Sequence, residues 1–178
     1  MSLKLSENMS SGQNKNTADK AGNTVPVSGK RVLQPGKYEL KNLKFLGDFM
    51  TTLGLTTTVA AKKAGLTQVT VYYWLKKDDA HLSSVEGLIN AWGYKLEFEL
   101  VSKEEESSMV RIETPNSRRL AFLERAMANV DREWLRQQLG IGTTTIYYWF
   151  SHDDIFISHI FRIAEILDKK VSVTIRPM

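Results

Sequence analysis

The chain has 178 residues, 42% hydrophobic and 25% charged, with a net charge of +4 and no cysteine. That composition suits one medium or two small globular domains, and the lack of thiols excludes disulfides, zinc–thiolate sites and thiol catalysis. The mild positive charge permits a polyanionic partner without requiring one, and no apolar run nears the ~18 residues of a membrane-spanning helix.

Residues 1–36 are rich in Ser, Asn, Gly, Thr and Lys. They hold too little apolar surface to offset their ordering entropy, which predicts a disordered polar tail. The start has no apolar signal-peptide core, so a cytoplasmic location is expected. A first unit is predicted over 37–101. Phe45, Leu46, Phe49, Met50 and Leu53 share one face of a helix. Thr56 is the expected cap of a short second helix, with Val59, Ala60 and Ala64 facing inward and Gly65 closing it in a left-handed turn. Residues 69–74 (VTVYYW) are β-branched and aromatic and favour a strand by propensity. The helical spacing of Leu66, Val71, Trp74 and Leu75, with Thr67 as cap, argues instead for a third helix. A fourth carries the stripe Leu82, Val85, Leu88, Ile89 and Trp92 and ends at Gly93. Leu96, Phe98 and Leu100 then alternate with Lys95, Glu97 and Glu99, which predicts a half-buried strand over 95–100.

Residues 102–114 open with SKEEESS and are predicted to be a linker. A second unit over 115–178 repeats the first. Residues 65–79 match 140–154 without a gap at an offset of 75, including Tyr-Tyr-Trp and Asp-Asp, which argues for duplication. Leu120, Leu123, Ala126 and Met127 form its first helix, capped by Asn116 or Ser117 after Pro115. Asp131 caps the second, with Trp134, Leu135 and Leu139 inward, and Gly140 ends it. The third spans Thr143 to Trp149, the fourth carries Ile157, Ile160, Ile163, Ala164 and Leu167, and Asp168 precedes a strand over 170–175 with Val171, Val173 and Ile175 on one face. A lone strand leaves its backbone unpaired, so the two strands are expected to pair with each other, within one chain or across a homodimer.

Val71, Trp74, Ile146 and Trp149 are expected in the core. Asp78-Asp79 and Asp153-Asp154 read as caps of the helix that follows each pair. His81, His152 and His159 have no partners at metal-ligand spacing, and no phosphate loop, nucleophile elbow or acid–base constellation occurs. Neither an enzyme nor a cofactor or metal is expected.

Residues 60–74 (AAKKAGLTQVTVYYW) carry a small residue in the second helix, a Gly-apolar turn, a capping Thr and a helix opening on Gln. This pattern, with the fourth helix, resembles the lambda-repressor-like (XRE/Cro-type) helix-turn-helix domain. The second copy matches it through Leu135, Gly140, Ile141, Ile146 and Trp149. The added strands are similar to those of HipB-like antitoxins. The resemblance implies a mainly α fold of two tandem lambda-repressor-like four-helix units, each followed by a short strand, the strands paired antiparallel in a pseudo-dimer. It implies a bacterial or phage-like transcription regulator, a repressor, whose third helices enter the major groove of double-stranded DNA about one turn, roughly 34 Å, apart. It assigns base reading to Gln68, Val69 and Tyr73 and to Thr143, Thr144 and Tyr148. Thr67, Tyr72 and Tyr147 receive cap or phosphate contacts, and Lys76 and Lys77, with Ser151 and His152 as weaker counterparts, approach the backbone. The chain departs from the pattern in having no Arg or Lys on either reading face, and Gly142 in place of the second capping Thr. The rival is a protein-interaction or antitoxin-like module on the same scaffold, with Tyr-rich faces that bind a protein.

Overall fold

The computed structural model describes residues 40–103 and 118–178. The expected tail, most of the expected linker and the candidate caps Asn116 and Ser117 lie outside them. The chain runs α1 (Lys44–Thr52), α2 (Thr57–Lys63), α3 (Gln68–Lys77), α4 (Leu82–Ala91) and β1 (Tyr94–Ser102), then α5 (Ala121–Ala126), α6 (Arg132–Leu139), α7 (Thr143–His152), α8 (Ile157–Ile166) and β2 (Lys169–Pro177). The fold is mainly helical with one two-stranded antiparallel sheet. No helix among the described residues is long and apolar enough to cross a membrane.

The β-branched segments are helices, which overturns the strand alternative. Propensity loses to burial here. In α3, Val71 and Leu75 are buried one turn apart, and in α7 Ile146 and Trp149 are. Each large apolar side chain removed from water contributes about 1.5–3 kcal/mol, more than the few tenths per residue that β-branching costs a helix. Caps help: the Thr67 hydroxyl accepts from the Thr70 amide, Thr56 from Val59, and the Asp131 carboxylate from Glu133 and Trp134. Gly142 starts α7 without a side-chain cap. Gly65 and Gly140 make the two tight turns at φ +69° and +65°, a region where a Cβ is strained.

Two inward assignments fail. Val59 is 48% and Trp134 43% exposed. The buried face of α2 is Thr57, Ala60 and Ala61, and that of α6 is Leu135 and Leu139. At 100° per residue, Val59 and Trp134 rotate off those faces. Ala64 and Trp74 are half-buried, whereas Trp149 is fully enclosed.

The aspartate pairs do cap helices, but not as expected. Asp78 sits at φ 52° at the end of α3, and its carboxylate accepts from the amides of Lys41, Asn42 and Leu43, each at 2.9 Å, ahead of α1. Asp153 does the same for Arg119 and Leu120 ahead of α5. The second aspartate of each pair crosses to the other half. Asp79 accepts from the amide (2.9 Å) and hydroxyl (2.7 Å) of Ser158 at the start of α8. Asp154 accepts from the amide (2.9 Å) and hydroxyl (2.8 Å) of Ser83 at the start of α4. Between them, Leu82 donates to the Ile155 carbonyl and Ile157 to that of Ala80, both at 2.9 Å, and the rings of His81 and Phe156 lie 3.9 Å apart.

The strands pair within the chain, Leu96 opposite Ile175, Phe98 opposite Val173 and Leu100 opposite Val171. β1 reaches Ser102, the first residue of the expected linker. Phe98 and Val173 are equivalent under the 75-residue offset, as are His81 and Phe156, so a local two-fold axis passes through both pairs. Phe98 meets Phe45 of α1 edge-on at 5.4 Å and Phe122 of α5 at 5.9 Å, which joins the two halves through one ring.

His159 lies on α8 beside this junction, its ring 5.1 Å from Trp149 and its Nδ1 buried with no hydrogen-bond partner among the described residues. Burial lowers its pKa, assisted by Arg162 and opposed by Asp79. The unfolded chain therefore takes up this proton first. Stability is full above about pH 6.5, the usual histidine value, and falls as pH drops below it until the folded histidine also titrates. Urea midpoints between pH 7.5 and 5.5 should decline in the native chain, and less so in His159→Phe. Equal declines would remove His159 as the cause.

Candidate nucleic-acid interface

Third helices α3 and α7 each turn one face to solvent. On α3, Val69 (59% exposed), Tyr73 (51%) and Lys76 follow at intervals of one turn, with Thr67 and Lys77 also exposed and Gln68 and Tyr72 half-buried. The Tyr72 and Tyr73 rings meet at 5.6 Å, and the Lys76 ammonium lies 5.9 Å from the Tyr72 ring. Thr67 is engaged, its hydroxyl 2.8 Å from that of Thr70. The Thr70 amide also donates to it at 3.2 Å, so Thr67 caps α3. On α7, Thr143, Thr144, Tyr147, Tyr148, Ser151 and His152 are all exposed, Tyr147 at 76% and Tyr148 at 58%. His152 stacks on Tyr148 at 3.7 Å and its Nδ1 lies 3.0 Å from the Ser151 hydroxyl. Thus every candidate contact except the half-buried Gln68 and Tyr72 stands well exposed.

Chemically, these faces offer hydroxyls, one amide, methyl groups, aromatic rings, the two ammonium groups of Lys76 and Lys77 and the His152 imidazole. Such groups suit base edges and thymine methyls. Among the described residues no cluster of His, Asp or Glu is placed to hold a metal ion.

Residue-by-residue reading singled out Lys76 and Lys77 but missed Lys62 and Lys63 on α2. Residues 49–77 hold four lysines and no carboxylate, and Lys62 and Lys63 end α2 with exposed side chains. A charge window, rather than a motif, reveals it. Lys63 lies over the Trp92 ring at 4.2 Å. Lys62, Lys76 and Lys77 make no ion pair among the described residues. Several arginines of the second half are engaged. Arg118 pairs with Glu124, and Arg119 with Glu86 at 2.5 Å and with the Asp153 carbonyl. Arg136 forks onto Glu133 and the Ile141 carbonyl, and holds the Glu133 carboxyl down to about 2. Val59 and Trp134, equivalent under the offset, are exposed apolar side chains on the preceding helices α2 and α6. No family model matches the chain, and no curated protein or solved structure is significantly similar to it.

Proposed function

We propose that the chain binds double-stranded DNA sequence-specifically through two helix-turn-helix units, α2–α3 and α6–α7. Each belongs to a lambda-repressor-like four-helix unit closed by a strand, the whole forming a single-chain pseudo-dimer that regulates transcription by occupying a promoter. One observation carries this reading: in both halves a left-handed glycine turn joins two short helices, and the second opens toward solvent with polar and methyl-bearing side chains at its N-terminal end. That end is the part of a recognition helix that meets base edges. In this role the Gln68 amide pairs with adenine N6 and N7, and Val69 and the methyls of Thr143 and Thr144 pack on thymine. Gln68-Val69 and Thr143-Thr144 differ, so the target is an imperfect palindrome with halves about one turn apart.

Selection of duplexes from a random pool tests the proposal, and a two-part motif is the expected result. Gln68→Ala should then cost about 1–3 kcal/mol at one base position and relax preference there. Unchanged preference would mean that α3 docks in another register. A second reading, a protein-interaction or antitoxin-like module, draws on the exposure of Trp134, Tyr147 and Tyr148, because aromatic side chains dominate protein interfaces. No enrichment at low or physiological salt would favour it.

A further inference from the structure

Both halves share a backbone plan, but their charge differs sharply around the proposed reading helices. Residues 49–77 carry Lys62, Lys63, Lys76 and Lys77 and no carboxylate. The equivalent window, 124–152, carries three arginines against three carboxylates. The four lysine positions correspond under the 75-residue offset to Gln137, Gln138, Ser151 and His152. Arg136 pairs with Glu133, Asp131 caps α6 and Glu124 pairs with Arg118, so each of these carboxylates has a partner within the second half. The α7 face is instead the richer in exposed aromatic and hydroxyl surface, with Tyr147, Tyr148, Thr143 and Thr144.

Resting on the duplex-binding reading, we infer that the two halves divide the work. The first half anchors the phosphate backbone through its lysines, and the second adds uncharged contacts to base edges and sugar. The lysines are exposed, and Lys62, Lys76 and Lys77 make no ion pair among the described residues, so a duplex meets them without first breaking one. The contact with the duplex is then asymmetric in its electrostatics as well as in the bases it reads. Phosphate-ethylation interference should be strong over one half of the footprint and weak over the other.

Salt dependence tests the division directly. The full chain is titrated against a fluorescein-labelled mixed-sequence duplex between about 50 and 200 mM salt, where each phosphate neutralised contributes about −0.9 to the slope of log K against log salt. The variant Lys62→Ala/Lys76→Ala/Lys77→Ala should flatten the slope by about 2–3. Tyr147→Ala should weaken binding at every salt concentration with the slope unchanged. Ser151→Lys/His152→Lys, which places lysines at the equivalent positions, should steepen it by about 2. All these sites are exposed, and circular dichroism checks that the helices persist. Binding with a slope that the lysine variant leaves alone, or that Tyr147→Ala flattens as much, overturns the division of labour while leaving duplex binding in place. Failure of the native chain to bind any duplex overturns the duplex reading and this inference together.

Discussion

Trp149→Ala should destabilise the protein by about 3–5 kcal/mol, and Trp74→Ala, at the equivalent position, by visibly less. Trp149 is 4% exposed and packs within the core, whereas Trp74 is only partly covered. The anchor shifts by one residue between the halves: Leu75 is buried after Trp74, while Phe150 is half-exposed after Trp149. Removing a buried indole loses both its transfer free energy and the contacts around the void. A loss of that size approaches the whole stability of a small domain. Urea unfolding of both variants measures the difference, and equal losses would mean that burial at the two sites is alike in solution.

Asp79→Ala with Asp154→Ala should cost about 2–4 kcal/mol together, since each removes a cap and leaves a helix-terminal amide without its acceptor. The loss falls at the junction, because each aspartate caps a helix of the opposite half. Unfolding should therefore broaden as well as shift, with a smaller denaturant slope as the halves begin to melt separately. Ser83→Ala with Ser158→Ala removes only the hydroxyl bonds and should cost less. A sharp, undisplaced transition in the aspartate variant would deny these bonds any part in joining the halves.

Local signals were readable and long-range ones were not. Thr56, Thr67, Asp131, Gly65 and Gly140 act within a few residues of their partners, and the structure has each where its chemistry predicts. The aspartate pairs read correctly as caps but not as to which helix, because Asp79 and Ser158 are far apart in the chain and no local pattern links them. Val59 and Trp134 were misplaced because seven- and eight-residue helices offer only two turns of periodicity. The helical state of 69–74 ran against propensity: the spacing of Leu66, Val71, Trp74 and Leu75 pointed to it, and the resemblance to a known domain decided it. Of the candidate interface, motif spacing marks the α3 and α7 faces, but Lys62 and Lys63 belong to a charge distribution that no motif contains.

The pairing of β1 with β2 inside one polypeptide has a consequence for how such a molecule changes over time. In a two-fold homodimer every substitution appears twice, and a change that improves one face is imposed on the other. A dimer also comes apart on dilution. Here the twin faces are covalently joined, so scarcity inside a cell does not separate them. Each is encoded by its own stretch of gene and can change alone, and where one half carries four lysines the corresponding positions of the other carry two glutamines, a serine and a histidine.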